Sequence, residues 1–265
     1  MKKTRELPKN AFNFIAMIHV LPLCGSPGFS WSPKKTITRA LEELEVYKAG
    51  NADAVMLENM HDRPYTLPPL DRNTVLAMMD VAAQVRENTD LPIGIQMLEG
   101  ANMEALEIAT SCRLDFIRVE GFTYAHVGGA GLVNACAGPL LRKRAELDAS
   151  HIKIFADVKK KHCAHALTSD LSIGDIVKQS EFFLADGIII TGKFTGEPAD
   201  VEDLDAARDA TDLPILIGSG ITPENVSEYT QADGYIVGTY LKQDGIWSNP
   251  VDPERVQRMA RFIHN

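Results

Sequence analysis

The chain has 265 residues, 45% of them hydrophobic and 24% charged, a balance that excludes bulk disorder and matches ordinary globular domains. Lys and Arg number 27 against 36 Asp and Glu, a formal charge of −9. Such an acidic chain argues against nucleic acid or an anionic membrane as a partner, and no apolar run reaches the ~20 residues of a membrane-spanning helix.

Taken in chain order, short apolar and β-branched runs fall at 14–19, 53–58, 92–97, 115–120, 152–157, 187–191, 214–217 and 234–237. Their near-continuous apolar character suits parallel strands covered on both faces. Helical patterns separate most of them. Ser32-Pro33 starts a capped helix over 33–49 with proline at its first position. Val75, Met78, Met79, Ala82 and Val85 give helical spacing within 71–88. Further helices are expected over 103–111, 139–148, 173–183, 200–210, 223–229 and 253–263. Eight strands alternating with eight helices spell an α/β fold, a (β/α)8 TIM barrel, as a single domain over residues 1–265. A doubly wound open sheet is the competing architecture, but eight repeats with no antiparallel edge favour closure.

In such a barrel, chemistry sits at the C-terminal ends of the strands and in the loops that follow. Strand seven runs into Gly218-Ser219-Gly220 and strand eight into Gly238-Thr239. Glycines let main-chain N–H groups converge on a ligand, and Thr222 with Pro223 is set to cap the next helix. These loops, extended by Gly192 after strand six, are where this fold binds phosphate. Two ligand-free tight turns are the plain alternative.

After strand five comes Asp157-Val158-Lys159-Lys160-Lys161-His162. Period-2 alternation puts Asp157 and Lys159 on the barrel-mouth side. A lysine beside a carboxylate can donate a proton, clamp a charge, or form an imine if desolvation lowers its pKa. His162 and His19, the latter closing strand one, are candidate proton shuttles; each can equally be structural. Glu58 ends strand two, Gln96 lies near the end of strand three and Glu120 ends strand four. Glu58, Glu120 and Asp157 with phosphate oxygens suit Mg²⁺; acid–base work, or an ion network with Lys159 and Arg118, are the alternatives. The glycine-rich stretch 121–138 has the length of a lid. GxxxxGK[ST] and GxGxxG after a strand are both absent, so nucleotide loops of those types are not supported. Cys24, Cys112, Cys136 and Cys163 share no CxxC spacing and read as reduced thiols. Residues 1–10 lack a secretory apolar core, so the cytoplasm or an organelle matrix is expected.

Ile15-Ala16-Met17-Ile18-His19-Val20-Leu21-Pro22-Leu23 followed by Gly25-Ser26-Pro27, together with Asp53 to Asn59, Phe116 to Val119, and Ala185-Asp186-Gly187 through Thr191-Gly192, resembles the BtpA family over nearly the whole chain. The resemblance implies a barrel related to the ribulose-phosphate-binding group, with no settled reaction. Its SgcQ-like members are associated with sugar uptake and sugar-phosphate enzymes. Residues 157–162 match only one branch, so strand-five chemistry need not extend across the family.

The expected function is an isomerase, epimerase or retro-aldol lyase acting on a phosphorylated sugar or similar metabolite. Phosphate would sit on Gly192, Gly218, Ser219, Gly220, Gly238 and Thr239; Lys159, Asp157, His19, Glu58, Glu120 and His162 would carry the chemistry. The alternatives are a metal-dependent hydrolase or phosphatase using Glu58, Glu120, Asp157 and His162, and a non-catalytic assembly factor that would need an exposed apolar patch. The expected partner is the small metabolite, with no nucleic acid or membrane, and the chain is expected to form a homo-oligomer.

Overall fold

A computed structural model describes residues 12–30 and 32–264; the reading of residues 1–10 lies outside them. Eight parallel strands close a barrel: β1 (Phe14–His19), β2 (Ala54–Glu58), β3 (Ile93–Gln96), β4 (Phe116–Val119), β7 (Lys153–Val158), β8 (Gly187–Ile190), β9 (Ile215–Ile217) and β10 (Gly234–Val237). They neighbour one another in chain order, and β1 pairs with both β2 and β10 to seal the ring. The helices α1 (Pro33–Ala49), α2 (Arg72–Glu87), α3 (Asn102–Cys112), α4 (Ala137–Glu146), α5 (Ile173–Phe182), α6 (Val201–Arg208) and α7 (Pro253–Ile263) lie between or after them. The start signals work as read: Ser32 Oγ accepts from Lys35 N–H, with Pro33 inside the first turn.

Two expectations are corrected. The stretch 223–229 forms only a 3₁₀ turn, Val226–Glu228. Asn225 is the cause: its Oδ1 accepts from Thr222 N–H and its Nδ2 donates to Gly220 O. That local bonding competes with helix propagation. The glycine-rich stretch after β4, read above as a loop of lid length, is partly strand: it contains a hairpin of β5 (His126–Gly128) and β6 (Gly131–Val133).

Side chains pointing into the barrel form a separate core of Ile15, Met17, Ala54, Met56, Phe116, Phe155, Ile189, Leu216 and Ile236. Gly94 and Gly187 leave room for its rings. A Cβ on Gly94 would lie 2.1 Å from the Phe116 ring, and one on Gly187 would lie 2.4 Å from Phe155. Period-2 alternation then carries this inward face up to His19, Glu58, Gln96, Arg118, Asp157, Gly218 and Gly238.

At the opposite end, one device recurs four times. Asp53, Asp115, Asp186 and Asp233 precede β2, β4, β8 and β10, and each accepts from a backbone N–H near the start of the previous strand: Phe14, Ile93, Ile154 and Ile215. Each also holds a cation or imidazole at or just beyond a helix C-terminus: His264, Arg86, Arg144 and Arg208 respectively. The barrel is thus stitched as four strand pairs.

Candidate active site

The mouth carries a buried ion network. Arg118 donates from Nε to Asp157 Oδ2 (2.9 Å) and from Nη2 to Asp157 Oδ1 (3.0 Å), with side chains 3% and 0% exposed. This is the ion-network alternative for Asp157, whose carboxylate is fully engaged. Glu120 accepts from Gln96 Nε2 (2.7 Å) and Gly100 N–H (2.8 Å) and pairs with Lys160 (2.9 Å). Lys160 also meets Glu99 at 3.2 Å. Burial opposes the charge of Lys160, but Glu120, Cys163 and Glu99 more than offset it and raise its pKa.

The metal expectation is corrected by these contacts. Asp157 and Glu120 spend their oxygens on Arg118, Gln96, Gly100 and Lys160, leaving Glu58 alone. No group of three or more His, Cys, Asp or Glu able to hold a metal occurs among the described residues. The three-carboxylate site read for Mg²⁺ is therefore not assembled by these side chains.

Lys159 is also corrected. Its φ of 46° is left-handed, so the chain turns just after β7 and the strand alternation stops. Lys159 leaves the mouth toward α6, where burial and Asp200 raise the pKa of Asp203 and the Lys159 charge offsets part of that rise. Lys161 takes the expected place. It lines a mouth cavity with His19, Glu58, Arg118, Gly218, Ser219, Gly220, Gly238 and Thr239. Burial first, then Arg118, lowers its pKa to about 8, against Glu58 and Asp157, which raise it.

His19 is buried, and its Nδ1 lies 3.0 Å from Trp247 O. A carbonyl only accepts, so Nδ1 carries the proton and Nε2 keeps its lone pair. Nε2 is 3.8 Å from Glu58 Oε2. Burial, aided by Lys242, holds the imidazole well below its usual pKa and therefore neutral.

Gly218, Ser219, Gly220, Gly238 and Thr239 converge on that cavity. Among the described residues, no turn or loop hydrogen bond uses the N–H groups of Ser219, Gly220 or Gly238. Gly218 N–H instead donates to Ile190 O. Gly192 does not join the cradle: a Cβ there would meet Glu197 O at 2.4 Å, so it packs under the β8 loop. Thr195 and Gly196 of that loop roof the cavity, leaving about 30 Å³, room for about one water. His162 is exposed at the side. Its Nε2 accepts from Thr195 N–H (3.0 Å) and lies 2.7 Å from Thr195 Oγ1, so it latches the roof.

Sequence reasoning missed the neighbouring cleft of about 690 Å³, lined in part by Pro22, His61, Arg63, Tyr65, Glu99 and Ala130. Trp247 stacks beside it, with His61 at 4.8 Å and Arg63 at 4.7 Å. Its only sequence signal was a tryptophan after the last strand.

Four histidines have depressed pKa values: His19, His162, and His61 and His126, both at about 4, each with burial as the largest cause. The unfolded chain binds these protons below pH ~6.5 and the folded chain resists them. Stability is therefore expected to be intact above pH 6.5 and to fall from there toward pH 4. Each histidine contributes at most about 1.4 kcal/mol per pH unit, less for the partly solvated ones. Calorimetry at pH 7 and pH 5 should show a lower Tm at pH 5, with net proton uptake on unfolding.

The BtpA family sequence model matches residues 10–265. The chain belongs to the BtpA family. A Caenorhabditis elegans BtpA relative, named as an uncharacterized mitochondrial protein, is 40% identical over 253 residues, covering 94% of this chain and 91% of its own. The photosystem I biogenesis protein BtpA of Synechocystis is 35% identical over 244 residues, covering 91% and 84%. Among solved structures, thiamine phosphate pyrophosphorylase from Pyrococcus furiosus superposes with TM-score 0.61 at 11% identity, over 97% of both chains. N-(5′-phosphoribosyl)anthranilate isomerase from the same organism gives 0.59 at 16%, over 96% of this chain and 99% of its own. These likenesses establish the TIM-barrel fold of this BtpA member. No helix among the described residues is long and apolar enough to cross a membrane.

Proposed function

We propose that this protein is an enzyme that transfers a proton beside the carbonyl of a small phosphorylated metabolite, as an isomerase, epimerase or lyase, in the cytoplasm or an organelle matrix. One observation carries the reading: unused main-chain N–H groups of Ser219, Gly220 and Gly238 share a cavity with a neutral imidazole and an amine. The amides anchor the phosphate, His19 Nε2 accepts the proton, and Lys161 with Arg118 stabilises the developing negative charge. A phosphoryl group exceeds the space of one water, so binding requires the Thr195–Gly196 roof to lift. The structural neighbours' names also refer to phosphorylated compounds.

Titration calorimetry with inorganic phosphate and a panel of sugar phosphates tests this. Thr239→Glu, which adds a carboxylate to the cradle, is expected to weaken phosphate binding by about tenfold or more, equivalent to about 1.4 kcal/mol. Equal binding by both proteins would remove the cradle. An assembly role has its own support, since Phe182 and Leu184 are 78% and 68% exposed. Full cellular function in a Thr239→Glu protein that no longer binds phosphate would favour that role.

A further inference from the structure

The three consecutive lysines after β7 meet three different fates. Lys159 turns out of the mouth, and Lys160 is held by Glu120 and Glu99. Lys161 is different. Its backbone N–H donates to Thr191 Oγ1 (3.2 Å), which fixes the residue beside β8. Its side chain lines the mouth cavity without a salt bridge among the described residues. The nearest acids do not claim it: Asp157 is satisfied by Arg118, and Glu58 lies near His19.

We propose that Lys161 Nζ captures the carbonyl carbon of a phosphorylated aldehyde or ketone as an imine. The inference deepens the phosphate-site reading above and rests on it. The cradle of Ser219, Gly220 and Gly238 lines the same small cavity, so an anchored phosphate would bring a carbonyl a few bonds away to the amine. The Nζ lone pair forms the C–N bond while the C=O π pair moves to oxygen, which takes a proton. Nitrogen loses one proton, giving a carbinolamine. The C–O bond then breaks, oxygen leaves as water after protonation, and the nitrogen lone pair makes the C=N bond. Amine plus carbonyl gives imine plus water, and no oxidant or reductant is needed. The protonated imine then accepts the electron pair released when a neighbouring C–H or C–C bond breaks.

The surroundings bring the free-amine share near neutral pH to about one in ten. Arg118 and Lys160 bring like charge, Glu58 and Asp157 bring opposite charge, His19 is neutral, and burial outweighs them all to set the pKa at about 8. A lysine with its ordinary pKa of about 10.4 would present under one amine in a thousand at pH 7.

The test traps the imine. The full chain is incubated with dihydroxyacetone phosphate, or with dihydroxyacetone, in the presence of cyanoborohydride, then mapped by peptide mass spectrometry. The expected result is one dominant adduct on Lys161, formed at least tenfold faster with the phosphorylated ketone, with a rate midpoint near pH 8. Inorganic phosphate should slow it. Lys161→Arg should lose the adduct at unchanged Tm, and Lys159→Arg should keep it. Absence of a Lys161 adduct, while calorimetry still detects phosphate binding, overturns the imine and spares the cradle. Absence of phosphate binding overturns both. Labelling of Lys161 at equal rates by the two ketones supports the amine and overturns the cradle.

Discussion

Arg118→Met is expected to destabilise the fold by about 3–5 kcal/mol, the usual cost of leaving a buried ion without its partner. Asp157 would lose two hydrogen bonds and the guanidinium beside it, with its side chain shielded from solvent. Adding Asp157→Asn should recover part of the loss by removing the orphan charge. Urea unfolding of both variants measures this, and equal midpoints for the wild type and Arg118→Met would show that the pair contributes nothing. The same substitution removes one of the charges that depress the Lys161 amine. The pH midpoint of carbonyl trapping should therefore move upward in Arg118→Met.

Lys242→Met is expected to cost about 3 kcal/mol, the lower end of that range. Lys242 has no exposed surface and meets Glu43 Oε2 at 2.7 Å. Arg39 Nε still holds the other carboxylate oxygen at 3.0 Å, which tempers the loss. Lys242 follows the turn bearing Gly238 and Thr239, and it also helps keep His19 uncharged. NMR titration should show the His19 pKa rising in Lys242→Met while burial still holds it below its ordinary value. An unmoved His19 titration would mean that Lys242 acts only as a structural tie.

The barrel was legible because its signals are local. Apolar β-branched runs gave β1 and β10 with their observed boundaries, and the helical stretch 253–263 matches α7. The mouth glycines were legible because the fold rule assigns phosphate to the last two loops. Three features were not, each for a physical reason. The left-handed backbone at Lys159 cannot be read from alternation, which presumes that the strand continues, so the inward lysine was placed two residues early. The ion network with Arg118 was read as one alternative, but which carboxylate Arg118 takes depends on register, since Arg118 stands opposite Phe155 rather than Asp157. The 223–229 helix failed because Asn225 bonds backward to the Gly220 turn, a competition that helical spacing does not encode.

The fourfold aspartate stitching has a consequence for how this molecule can change. It lies at the starts of the strands, a barrel's length from the cavity, and relies on main-chain amides and basic or imidazole groups at helix ends. Durability and selectivity therefore reside at opposite poles. The upper loops are free to be rebuilt while the foundation stays fastened.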